Sequence, residues 1–297
     1  MQTSPQRPAE ASGALTLGGD LSVTRLGFGA MRITGEGIWG PPANRADALA
    51  VLRRTLDLGI NLIDTADSYG PDVSEELIAE ALFPYPDGLL ITTKGGLRRT
   101  GPGAWPIDGR PAHLREALEG SLRRLRLEQI ALYQFHRPDP AVPFADSVGE
   151  LARMQAEGKI RHVGLSNVTV EELAEAQVIV PIVTVQNRYN PSNRASERMT
   201  AARSEEMVDL CARQGIGFLP WGPLSGGALA RPGGVLAQIA QGHNATPSQI
   251  TIAWLLRRSP TMLPIPGTSS ITHLEENTLA ATITLTQDEF DAIDRRS

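Results

Sequence analysis

Residues 60–70 read INLIDTADSYG, a short apolar run that stops on Asp64 and passes into a polar loop carrying Tyr69 and closing on Gly70. Isoleucine and leucine followed by a carboxylate and a glycine-ended loop read as a buried strand whose C-terminal end opens on a polar face. The same pattern recurs at 25–29 (RLGFG), 89–94 (LLITTK), 130–136 (IALYQFH), 160–165 (IRHVGL), 182–186 (IVTVQ), 216–220 (IGFLP) and 262–266 (MLPIP). Between these runs lie amphipathic stretches, among them 46–58, 74–82, 111–125, 144–157 and 247–258. Eight strands alternating with helical sequence predict an α/β chain with parallel strands and crossover helices.

No linker or second compositional zone divides the 297 residues, so a single closed (β/α)8 TIM barrel over 1–297 is expected. Residues 1–12 are expected as a flexible tail. ALTL and LSVT around Gly18-Gly19-Asp20 read as an N-terminal β-hairpin, and 286–295 as an extra C-terminal helix. Gly59, Gly158 and Gly215 each precede a strand, where a left-handed cap would end the helix before it. An open doubly wound sheet is the competing architecture. Its phosphate fingerprint needs a third glycine, and GFGAMR offers only Gly27 and Gly29.

A net charge of -5 and a pI near 5.6 argue against nucleic acid or an anionic membrane as the main partner. The N-terminus lacks the apolar segment of a signal peptide, and no run reaches the length of a membrane span, so a cytoplasmic location is expected. The lone cysteine, Cys211, reads as a buried inert thiol in a helix. The five histidines are scattered without ligand spacing, so no metal is expected and a metal-dependent hydrolase is disfavoured. Of 28 basic residues only Lys94 and Lys159 are lysines. A chain so rich in arginine keeps lysine where a compact, tunable ammonium is needed.

Asp64, Lys94 and His136 end three consecutive strands, and Tyr69 follows in the loop after Asp64. Each residue alone has an ordinary structural explanation as a cap, loop anchor or solvated end. Four polar groups at adjacent strand mouths of a barrel form a candidate catalytic set.

With these motifs in order, the sequence resembles the aldo-keto reductase family from the hairpin to the final helix, most closely its short-tailed bacterial members, a group that includes pyridoxal reductases. INLIDTADSYG, TTKGG, QFHR, GKIRHVGLSN and IPGTSSITHLEEN carry the resemblance. It implies an NAD(P)H-dependent carbonyl reductase with Tyr69 as proton donor, Lys94 lowering the phenol pKa, Asp64 fixing Lys94 and His136 orienting the substrate oxygen. For the coenzyme it implies Gly29 and Met31 at the first strand, and Ser166, Asn167 and Gln186 at the carboxamide. Trp221 would stack on the nicotinamide, with Pro223, Leu224 and Ser225 beside the pyrophosphate. Gly267, Thr268, Ser269 and Ser270 would cradle a phosphate ahead of a helix capped by Thr272 and Glu275, with Glu276 and Asn277 at the adenine. Gly267 and His273 stand where many members carry Lys and Arg, so NADPH is expected to be preferred, with NADH bound more weakly.

Trp39, Trp105 and Tyr189 are the expected substrate walls, and Arg32, Arg98, Arg137 and Arg188 are loop cations on the same face. The sequence ends at Ser297 just after its last helix, so pocket closure is expected from other loops. The expected partner is a small carbonyl compound, with pyridoxal the leading candidate. A general detoxifying reductase of reactive aldehydes and a cofactor-holding regulatory subunit are the alternatives.

Overall fold

The computed structural model describes residues 7–192, 194–195, 198–224 and 234–295. A two-stranded antiparallel hairpin comes first, β1 (Ala14–Leu17) and β2 (Leu21–Thr24). Seven parallel strands follow in sequence order: β3 (Phe28–Gly29), β4 (Leu62–Asp64), β5 (Leu90–Gly95), β6 (Ile130–Phe135), β7 (Ile160–Ser166), β8 (Ile182–Gln186) and β9 (Gly217–Phe218). Outside them lie α1 (Arg45–Asp57), α2 (Val73–Leu82), α3 (Pro111–Leu125), α4 (Phe144–Ala156), α5 (Val170–Ile179), α6 (Ala201–Gln214), α7 (Val235–Gly242), α8 (Pro247–Arg258), α9 (Ile271–Leu279) and α10 (Gln287–Asp294).

The fold is a (β/α)8 barrel, but its eighth staves differ from the expectation. Residues 262–266 form no regular strand. They bridge β9 at Phe218–Met262 and reach β3 through Gly27 N–H to Pro264 O (2.9 Å) and Gly29 N–H to Pro266 O (3.4 Å). Pro264 and Pro266 have no N–H to give a ladder, so the segment closes the ring with few bonds. The hairpin plugs the other end. Leu17 and Val23 pack with Leu62, Leu90, Leu132, Leu219 and Leu263, the side chains that fill the barrel bottom. The larger apolar cluster lies between the sheet and its jacket of helices.

Gly59, Gly158 and Gly215 adopt φ of 87°, 78° and 69°, the left-handed turn expected before β4, β7 and β9. Thr286 caps α10 in a reciprocal capping box with Glu289. Cys211 is buried in α6, and burial raises its thiol to about 12. The expected flexible tail over 1–12 requires correction at 8–12, residues 1–6 lying outside the described residues. Pro8–Ser12 forms a 3-10 helix, Ala9 is fully buried, and its N–H reaches Leu58 O (3.1 Å).

Candidate active site

The C-terminal ends of the strands open into one cavity of about 1260 Å³. Asp64, Tyr69 and His136 line it, and Lys94 lies directly behind Tyr69. Lys94 is fully buried, and its ammonium donates to both Asp64 oxygens (2.6 and 2.5 Å) and to Thr65 O (2.8 Å). The Tyr69 hydroxyl interacts with the same ammonium. Gln186 adds its amide to the same carboxylate at 2.9 and 3.1 Å. The Lys94 Nζ stands 5.2 Å from the centre of the Tyr69 ring. His136 and Trp105 each meet that ring edge-on, at 5.9 and 6.4 Å between centroids.

Burial pulls Lys94 toward its neutral form, but Asp64 and Tyr69 outweigh it and the ammonium is stabilised. Burial raises the Tyr69 pKa; Lys94 lowers it, as expected, and Asp64 opposes Lys94, so the net shift is upward. Tyr69 therefore holds its proton through neutral pH. Burial, then the charges of Lys94 and Arg137, drive His136 well below the ordinary imidazole value, so the ring is neutral. Its Nδ1 is buried and finds no partner among the described residues.

From this quartet the cavity runs past Ser166, Asn167, Gln186 and Trp221 to Pro223 and Leu224, and then to Gly267, Thr268, Ser269, His273, Glu276 and Asn277; Gly29 and Met31 also line it, Gly29 packed directly against Gly267. Asn167, at φ 59°, donates to His136 O (3.1 Å) and Ser166 Oγ (3.0 Å), and accepts from Trp221 Nε1 (2.9 Å). It therefore fixes the Trp221 ring to the His136 strand end. Ser225 lies outside the described residues.

The cap of α9 is also corrected. Ser270, not Thr272, is the N-cap, accepting from His273 N–H (3.4 Å), while Thr268 Oγ1 accepts from Ser270 N–H (3.0 Å). Both hydroxyls keep their own protons free to donate. Missed in the sequence were Thr246, Pro247 and Ser248, which line the cavity at the head of α8. The Thr246 to Gln249 capping box was the legible signal for them.

The three expected aromatic walls separate. Trp105 lines the cavity against Tyr69. Trp39 is not in the lining and lies beyond the Arg99 guanidinium, 5.5 Å away. Tyr189 is a core residue: fully buried, stacked on Trp254 at 5.8 Å and bonded to Glu205 (2.8 Å). Arg98 is turned aside by Asp108 and Glu116, whereas Arg32, Arg137 and Arg188 line the cavity.

A sequence profile of the Aldo/keto reductase family matches residues 25–297. The chain belongs to this family. It is 49% identical over 294 residues to an oxidoreductase of Schizosaccharomyces pombe, covering 99% of this chain and 93% of the relative. It is 42% identical over 291 residues to the pyridoxine 4-dehydrogenase of Escherichia coli, covering 96% and 98%. A crystal structure of an aldo-keto reductase from Klebsiella pneumoniae in complex with NADPH superposes with a TM-score of 0.77 at 25% identity, covering 95% and 94%. This family member is an NAD(P)H-dependent oxidoreductase that acts on a small carbonyl compound. Among its described residues no helix is long and apolar enough to cross a membrane.

Proposed function

We propose that the protein reduces a small aromatic or heteroaromatic aldehyde with NADPH, pyridoxal being the favoured substrate, and that Tyr69 is the proton donor. The observation that carries this reading is the convergence of Lys94-bound Asp64, Tyr69 and His136 on one cavity. The relation to a pyridoxine 4-dehydrogenase supports the substrate.

The cavity residues fit a dinucleotide. Trp221 offers a held aromatic face, and Thr268 offers a hydroxyl proton beside the N-terminal amides of α9, a donor set suited to phosphate; Ser270, the N-cap, is not among the lining residues. When bound, the coenzyme supplies the hydride that adds to the carbonyl carbon. The chain's own residues handle the oxygen. As the C=O π electrons collect there, Tyr69 donates its hydroxyl proton and leaves an alcohol, because an alkoxide is more basic than a phenolate. Lys94 and Asp64 hold that phenol in place, and Lys94 stabilises the phenolate until water returns the proton. His136, uncharged, donates a hydrogen bond that orients the carbonyl without competing as an acid. Trp105 supplies the flat wall.

NADPH oxidation measured against pyridoxal, methylglyoxal, nitrobenzaldehydes and simple aliphatic aldehydes tests the reading. The expected order places pyridoxal and the nitrobenzaldehydes above the aliphatic compounds in kcat/KM. The reverse order moves the function to general clearance of reactive aldehydes, and no turnover of any carbonyl removes it.

A further inference from the structure

Arg99 has no place in the chemistry above, yet it is the most heavily engaged side chain near the site. Its Nε donates to Ala104 O (3.0 Å), one terminal nitrogen to Ile38 O (2.7 Å) and Ser68 O (3.0 Å), and the other to Gly37 O (3.1 Å) and Gly101 O (3.4 Å). A guanidinium has five N–H donors, and here each has its own backbone carbonyl. These carbonyls belong to three loops: 36–40 after β3, the Tyr69 loop after β4, and its own loop after β5. The guanidinium carbon lies 3.6 Å from the centre of the Trp105 ring, within stacking range, and 5.5 Å from that of Trp39. Burial lowers the pKa of its guanidinium.

Carbonyl acceptors and a stacked ring do not require a charge. They require a planar fork of fixed shape. The loop from Leu97 to Ile107 turns back on itself as a narrow antiparallel bridge pair, and Trp105 sits on its returning arm, edge-on to Tyr69. Ser68, one residue before Tyr69, is tied to the same fork. The substrate wall and the phenol are thereby fixed relative to each other.

We propose that Arg99 is a positioning residue: it preforms Trp105 as a rigid wall beside Tyr69, and selectivity for flat, ring-bearing aldehydes depends on it. The proposal rests on the reductase reading for its substrate half and on geometry alone for its placement half.

Arg99→Lys is the informative variant, since it keeps the charge but has three donors and no planar face. With pyridoxal, KM should rise about tenfold, the scale of a lost aromatic contact, while kcat changes little. Propanal, too small to use the wall, should keep its kcat/KM, and NADPH should bind as in the wild type. Trp105→Phe should reproduce the pattern with pyridoxal. Acrylamide quenching, with Trp105→Phe used to isolate the Trp105 signal, should show that ring more accessible in Arg99→Lys. This arm needs no turnover, so it still tests the placement of Trp105 if no aldehyde is reduced and the reductase reading fails. Equal losses with pyridoxal and propanal would make Arg99 a general stabiliser and overturn the proposal. Unchanged kinetics, or unchanged quenching of Trp105, would overturn it as well.

Discussion

Lys94 grips Asp64 through both carboxylate oxygens, at 2.6 and 2.5 Å, in a place where Lys94 is fully buried and Asp64 only 2% exposed. Such a pair is costly to break from one side, roughly 3–5 kcal/mol, because the survivor is a buried unpaired charge. Lys94→Met should therefore lower both stability and turnover, and Asp64→Asn combined with Lys94→Met should regain stability but not turnover. Lys94→Arg should lose nearly as much activity as Lys94→Met, since a planar fork does not fit the compact site that Asp64 and Thr65 O define. Denaturant unfolding and steady-state rates on the three variants check this. Recovery of most activity by Arg would mean that charge alone suffices.

Tyr69→Phe should reduce turnover by at least ~10²-fold, the low end for removal of a general acid, with coenzyme binding kept. The pH profile should carry the signature of the site. Reduction needs the protonated phenol, and burial has raised its pKa above the ordinary value near ~10. His136 has been driven far below ~6.5, so it stays neutral as pH falls through that range. The rate of the reduction step should hence be flat through neutrality and fall only at strongly alkaline pH. An inflection near pH 6.5 in single-turnover rates that disappears in His136→Asn would show that His136 titrates and would refute this assignment.

The barrel, and the gathering of Asp64, Tyr69, Lys94 and His136 at adjacent strand mouths, were legible because each rests on a local signal: a β-rich run, then a polar residue at its end. The substrate wall was not. Arg188 lines the cavity and Tyr189 beside it is core, and after Gln186 the backbone is irregular, so no period assigns a face to either. Arg99 was equally hidden, since its partners are carbonyls from three loops and carry no sequence identity. Residues 8–12, expected as part of a tail, are instead held through Ala9, a small side chain whose burial no composition rule announces.

Asp67 offers a test of stability rather than catalysis. Burial, then the nearby charge of Glu75, raises its pKa well above the ordinary carboxylate value, and Oδ1 is buried without a partner among the described residues. In the unfolded chain it titrates near ~3.9. A raised folded value means the native state binds the extra proton, so this stability is present below ~3.9 and is lost as pH rises through the folded value. Asp67→Asn keeps the shape without titrating. Its melting temperature should exceed that of the wild type by roughly 3 °C or more at pH 8, with the gain shrinking toward pH 4. A gain that is the same at both pH values would show that Asp67 does not ionise in this range.

Coenzyme choice should turn on which cations can reach the head of α9. A Cβ on Gly267 would lie 2.4 Å from Gly29 O, so a lysine there cannot be accommodated without moving the strand that closes the barrel. Gly267→Lys should accordingly weaken binding of both coenzymes rather than tighten NADPH. Arg32 passes close to that position, its Cγ 3.7 Å from where the Cβ would stand, and it lines the cavity as an exposed side chain. His273, one turn into α9, faces the same cavity. A permanent guanidinium at 273 would add a charge-assisted contact to a 2′-phosphate. His273→Arg should thus tighten NADPH roughly tenfold, the size of one such bond, and leave NADH nearly unchanged. Arg32→Ala should weaken NADPH more than NADH if its charge serves the 2′-phosphate, and both equally if it serves the shared pyrophosphate. Fluorescence quenching by each coenzyme, at one ionic strength across the four proteins, reads all of these constants. Equal or tighter binding of NADH by the wild type would reverse the expected NADPH preference, whatever the variants do.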